Sequence, residues 1–232
     1  MNRFIFIIVF IFPINISSDE VNDPFENLNR KTFEFNENLD QKILKPTAKF
    51  YSKFPPRIKK GITNFFNNLE EVDTSVNQLL QGKPKKSAND FTRFVINSTV
   101  GLGGFIDVAS KIGLERHEED FGQTLAVWGV GEGPYIMLPG LGPSTLRDTF
   151  SRPVSSFLSV TFHMTETDVN IALKSIDAIE TRERLLEVES LLSGDKYSFV
   201  KDAYIQSIQY EVKDGINVQD DFVDDMDDFL ID

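Results

Sequence analysis

FGQTLAVWGVGEGPYIMLPGLGPSTLRD, residues 121–148, is the stretch on which the fold turns. It holds six of the chain's fourteen glycines and three of its ten prolines. Leu125, Val127, Trp128, Tyr135, Ile136, Met137 and Leu138 lie between them. Glycine at this density weakens a helix, because each one gives up backbone freedom that alanine does not. So many apolar side chains would be costly to leave in water. The expectation is a long apolar loop packed among helices, with no strand alternation in the chain.

Upstream, the sequence reads as helix. Asp23 is placed to cap a helix, with Pro24 in its first turn and Glu26 three residues after the cap. Phe25, Leu28, Phe35, Leu39 and Ile43 recur at helical spacing, and Phe33 lies off that stripe. Pro46 marks a break, and Pro55-Pro56 closes a second short piece. Residues 57–81 carry a broad apolar face that includes Ile58, Phe66, Val72, Leu79 and Leu80, with Gly82 as the stop. Ser87 can cap a fourth helix, and a short one is expected near Asp107. Downstream of Asp148 a serine-rich, loop-like stretch is expected. Two helices follow, at 168–192 and 195–214, separated by Ser193-Gly194.

The ends have their own character. Met1-Asn2-Arg3, the uncharged run FIFIIVFIFPI and the small residues at Ser17-Ser18 match the three regions of a secretory signal. Eleven apolar residues fall short of the roughly 20 that a spanning helix needs. The organisation read here is a signal at 1–18, one helical domain at 19–215 and an acidic, disordered tail at 216–232. No cysteine occurs in the 232 residues, so the fold must rest on packing or on a membrane rather than on disulfides.

The net charge of −12 argues against nucleic acid as a partner. Residues 41–93 are locally basic, however, with eleven Lys or Arg against four acids. That stretch, Lys59 and Lys60 in particular, suits anionic lipid headgroups or an acidic protein; a solvated helix face is the alternative. Twenty-one phenylalanines imply a large core or a surface that meets lipid, and lipid contact would come through amphipathic helices. Signals for chemistry are missing. His117 and His163 sit in no metal-ligand spacing, no nucleophile elbow occurs, and GVGEG lacks the dinucleotide fingerprint. No enzyme activity, metal or cofactor is expected.

Several long segments nevertheless form a specific ordered set: DPFENLNRKTFEFNENLD, LKPTAKFY, GITNFFNNLEE, NQLLQGK, FTRFVINSTVGLGGFIDVA, EDFGQTLAVWGVGEGPYIMLPGLGPSTLRD and IETRERLL. Together they resemble the MlaA (VacJ) family over residues 23–210. The resemblance implies an all-α fold: a disc or ring of amphipathic helices with a Gly/Pro-rich loop, sunk in one leaflet of the outer membrane. It implies a non-enzymatic channel for misplaced phospholipids, lying beside a trimeric porin and handing lipid to a soluble periplasmic carrier, MlaC; the alternative is a soluble periplasmic helical binding or scaffold protein whose phenylalanines are simply core. Members commonly begin with a lipid-bearing cysteine after the signal, which this sequence lacks. Within that frame residues 121–148 become a pore-side gate, with a purely structural loop as the alternative. Gly129, Gly131, Gly133 and Tyr135 are its candidate residues, and Phe33, Phe35 and Asn36 of the first helix form the opposing wall.

Overall fold

A computed structural model describes residues 23–159, 166–189 and 194–213. The expected signal and acidic tail lie outside the described residues. The architecture is all-α with one small hairpin, as the resemblance implies. Helix α1 (Glu26–Leu39) runs into a π-helical turn (Asp40–Leu44) and then α2 (Lys45–Tyr51). Pro46 therefore does not break the chain. It falls in the first turn of α2, where its missing N–H is not needed, and the wider turn ahead of it absorbs the change of register.

Helices α3 (Pro56–Leu80) and α4 (Pro84–Thr99) form an antiparallel pair. Gly82 sits between them at φ +77. Ser87 is inside α4 rather than at its cap, and its hydroxyl donates to the Ser75 carbonyl across the pair at 2.7 Å. A 3₁₀ turn (Ser110–Ile112) follows.

The glycine-rich stretch is not a loop throughout. Asp120 caps a short helix, α5 (Phe121–Val127), by accepting from the Gln123 N–H. Gly129 ends it at φ +87, and the Val130 N–H returns to the Leu125 carbonyl, a left-handed helix stop that suits glycine. Strands β1 (Tyr135–Leu138) and β2 (Gly142–Thr145) then form an antiparallel hairpin, with Tyr135 opposite Thr145. The expectation of no strand is thus corrected. Four-residue strands are too short for their alternation to stand out among glycines and prolines.

The serine-rich stretch is also corrected, from loop to helix α6 (Leu146–Leu158). Thr145 caps it by accepting from the Asp148 N–H at 3.1 Å, and the buried Ser151 hydroxyl donates to the Asp148 carbonyl. Tertiary packing here outweighs serine's weak helix propensity. Helices α7 (Thr167–Glu189) and α8 (Lys196–Val212) complete the fold. Arg182 of α7 clasps Asp40 at 2.6 and 2.9 Å, tying α7 to the π-helical turn.

Side chains are distributed against the usual rule. Glu71, Asn77, Gln78, Asp90, Arg93 and Thr124 are buried, whereas Leu79, Phe91, Leu102, Ile112, Phe150 and Phe157 are exposed. On α3 the expected apolar face points largely outward: of the five positions named above, only Phe66 is buried. Arg93, 1 % exposed, is the hub of the interior. It donates to Glu71 Oε1 at 2.7 Å, to the Leu114 carbonyl at 2.6 Å and to Ser110 Oγ at 3.1 Å. Asn97 beside it accepts from the Val108 and Ala109 N–H groups.

Removing one partner of a buried pair strands the other. Arg93→Ala should cost about 3–5 kcal/mol, measured by denaturant unfolding in detergent. The paired change Arg93→Met with Glu71→Gln should cost clearly less. Equal losses would assign the cost to packing volume and not to the stranded carboxylate.

Candidate functional site

A cavity of about 960 Å³ lies among β1, α5, α6, α7 and α8, with Glu70 of α3 at its edge. Its walls mix Leu138, Tyr204 and Ile208 with Gln123, Arg152 and Asp177. A side chamber of about 250 Å³ is lined by Glu70, Asp73, Thr74, Glu118, Glu119, Asp120, Gln123 and Glu211. Glu70, Asp120, Gln123 and Glu211 border both spaces, so the two lie side by side. The larger volume is at the upper end for a small-molecule site.

Charge in this cavity is uneven. Arg147 is held by Asp148 at 3.0 Å, and Lys174 reaches Ser156 Oγ at 3.3 Å. Arg152 donates through Nη2 to the Pro143 carbonyl at 3.3 Å, while its buried Nε has no partner among the described residues. In the side chamber, burial together with Asp120 and Glu70 pushes the Asp73 carboxyl up to about 7. Desolvation by the surrounding protein also raises Glu70, Asp120 and Glu211 from the ordinary carboxylate value, although all three residues keep an exposed edge.

The hairpin is held over this cavity by α1. Asn29 and Asn36, two turns apart on one face of α1, act like a neighbouring strand. Asn29 donates to the Tyr135 carbonyl at 3.1 Å and accepts from the Met137 N–H at 2.9 Å. Asn36 donates to the Leu138 carbonyl at 2.9 Å and accepts from the Gly140 N–H at 2.7 Å. The first helix does therefore face the glycine-rich segment, and the contact is amide to backbone. Phe33 is half-buried, edge-on to Tyr197 at 5.7 Å, and Phe35 is exposed. Tyr135 is in the small apolar core with Met137, Tyr197 and Ile205.

The other named residues lie elsewhere. Lys59 donates to Glu183 of α7 at 2.6 Å, and Lys60 is exposed; neither borders the cavity. Gly129 is the helix stop. Gly133, at φ +70, lies so close to Leu146 that a Cβ would sit 2.9 Å from that side chain's Cβ. Gly131 has no positive φ and open space around it. His117 bonds Asp90 at 2.9 Å through Nδ1. The cavity's acids and Arg152 escaped the sequence reading, because single charged residues on five separate elements leave no local motif.

Arranged in this way, the fold defines a class: a helical protein built around a polar, charged cavity, with much of its apolar surface turned outward. Comparison agrees with that architecture. The MlaA lipoprotein family model matches residues 21–211, and the chain belongs to that family. It is 40% identical over 200 residues to the intermembrane phospholipid transport system lipoprotein MlaA of Escherichia coli (strain K12), covering 83% of this chain and 79% of that relative. The protein of the same name from Haemophilus influenzae is 36% identical over 203 residues, covering 84% and 81%. A solved structure from work on the structural basis for maintenance of bacterial outer membrane lipid asymmetry aligns with a TM-score of 0.74 and 38% identity. The alignment covers 82% of this chain and 98% of that one.

Acids with raised pKa values give a pH signature with a definite sign. Folding favours their protonated form, so their contribution is fully present below the usual carboxylate range and lost as pH rises through about 7 for Asp73. The thermal midpoint should therefore rise as pH falls from 8 to 6. Asp73→Asn should raise the midpoint at pH 8 and flatten that slope. An unchanged slope in the variant would mean that Asp73 is already solvated and ordinary.

Proposed function

We propose that this protein is a non-enzymatic component of intermembrane phospholipid transport. It removes misplaced phospholipids from the outer leaflet of the outer membrane and passes them to a periplasmic carrier of the MlaC type, working beside a trimeric porin. The reading is supported by family membership and by relatives named for that transport system. The observation that carries it is the reversed polarity of the fold. Exposed Phe91, Leu102 and Phe150 suit hydrocarbon, and the interior cavity offers charged and hydrogen-bonding groups to a headgroup.

Carrying a charged headgroup through hydrocarbon is costly, and a cavity lined by fixed polar groups removes much of that cost. Acyl tails need no such help. In this reading the protein sits in the periplasmic leaflet, held by its apolar exterior. Among the described residues no helix is long and apolar enough to cross a membrane. Lys60, exposed and ahead of the basic run on α4, faces headgroups at the leaflet surface. Lys59 contributes less, because Glu183 already engages it.

The gate in this account is the hairpin with its glycine-rich approach. Leu138 and Leu141 of the hairpin border the cavity, and the asparagine clasp from α1 sets the hairpin's position. Gly131 is the hinge position, since Gly129 and Gly133 are already committed to a helix stop and a close contact. A valine at 131 fits the observed backbone but opposes conformations that only glycine reaches.

Cells lacking the protein should accumulate outer-leaflet phospholipid, and the wild-type gene should restore asymmetry. Gly131→Val should reach normal abundance yet leave outer-leaflet phospholipid raised about as far as deletion does. Failure of the wild-type gene to lower that lipid would overturn the transport reading. Full rescue by the valine variant would overturn only the hinge.

A further inference from the structure

The side chamber is chemically distinct from the main cavity. Six of its lining residues are carboxylates, and none is Lys or Arg. Cations do approach from behind: Arg116 pairs with Glu70 and Glu118, and Lys83 pairs with Glu119 at 3.0 Å. Arg147 acts on Asp120 from the main cavity. Among the described residues the hydrogen-bond partners of Asp73 and Glu211 are neutral: Asp73 accepts from Asn77, and Glu211 from Ser207 and Gln123.

Gln123 supplies a second, independent sign of a ligand. Its side chain borders both spaces, and the residue is only 7 % exposed. Nε2 reaches Glu211 at 3.4 Å, while the buried Oε1 has no hydrogen-bond partner among the described residues. A buried acceptor left unpaired is costly, and a donor from a ligand would relieve it. Among the described residues the acids do not converge closely enough to hold a metal ion. Spread-out acceptors with a neutral amide oxygen suit a larger cation with several N–H donors.

The main cavity meets the other half of such a ligand. Arg152, with its unpartnered Nε, and Lys174 border that space, and both suit a phosphate. Resting on the phospholipid reading above, we propose that the side chamber selects phospholipids whose headgroup ends in an ammonium, with Asp73, Glu211 and Gln123 receiving that group. A headgroup of net negative charge gains from the cations but meets the acids with no cation of its own, so it is disfavoured. The raised carboxyl of Asp73, about 7, is consistent with acids waiting for a counter-charge. It also makes pH 8 the condition under which selection is strongest.

The test uses the full chain in vesicles of phosphatidylethanolamine and phosphatidylglycerol in equal parts at pH 8. A photoreactive residue replaces Ser156, which borders the cavity, or Phe150, which is exposed. Mass spectrometry then identifies the captured lipid. The ratio of ethanolamine to glycerol lipid at position 156 should exceed that at 150 by about five- to tenfold, the scale expected of one mispaired charge in a partly buried site. Asp73→Asn with Glu211→Gln should bring it towards the ratio at 150. Capture at 156 with the same ratio as at 150 would overturn headgroup selection and leave the transport reading standing. Capture at 150 with none at 156 would overturn both. Should the double variant fail to fold, the wild-type ratio alone decides.

Discussion

The Arg93 guanidinium and the Glu71 carboxylate meet at 2.7 Å with both side chains almost wholly buried. Such a pair is expensive to bury unless its remaining donors and acceptors are met; the arginine side is met here, whereas burial pushes the Glu71 carboxyl up to about 7 and its Oε2 has no hydrogen-bond partner among the described residues. The Leu114 carbonyl and Ser110 hydroxyl meet Arg93, and Asn97 fixes the turn that carries Ser110. That network locks α3, α4 and the following segment into one unit. It also uses the inward faces of both helices for polar groups, which sends Leu79, Phe91 and Val95 outward. The apolar exterior and the polar interior are thus two sides of one choice.

The same logic shapes the site. Polar side chains turned inward on α3, α5 and α6 cannot close into an apolar core, and the space beside them remains a cavity. The hairpin does not close it by apolar packing alone. Asn29 and Asn36 pair with its free backbone edge, which satisfies groups that would otherwise be buried unmet. An edge held by two side-chain amides opens at lower cost than one held by a full strand. That is the physical basis for treating the hairpin as the moving part.

Much of the helical architecture was legible, because apolar spacing and glycine stops act locally, whereas α1 starts at Glu26 without a cap from the Asp23 side chain, Ser87 lies inside α4 and Pro46 lies in the first turn of α2. The long α3 and its stop at Gly82 follow from such signals, as do α7 and α8. The polarity of burial was not legible. An apolar stripe looks the same whether it meets a core or lipid, and only the buried Glu71, Asp90 and Arg93 distinguish the two. The hairpin and α6 were hidden for a different reason, since both depend on contacts distant in sequence. Asn36 and Phe33 lie on the helix that clasps the hairpin, whereas the side-chamber acids come from α3, the run Glu118-Glu119-Asp120 and α8, and nothing in the sequence brings those three segments together. Tyr135, read as gate-lining, is a core residue whose ring packs near Tyr197 and Tyr204.

A chain without cysteine allows a direct test of the reversed polarity. Single cysteines can be placed at Leu102, Phe150 and Phe157 on the exterior, and at Ser156 and Lys174 beside the cavity. Intact outer membranes carrying each variant would be treated with a charged, membrane-impermeant thiol reagent that enters the periplasm through porins. The account predicts labelling at 156 and 174 and protection at 102, 150 and 157 until detergent is added. Labelling of the exterior set in intact membranes, at rates matching the cavity set, would contradict it.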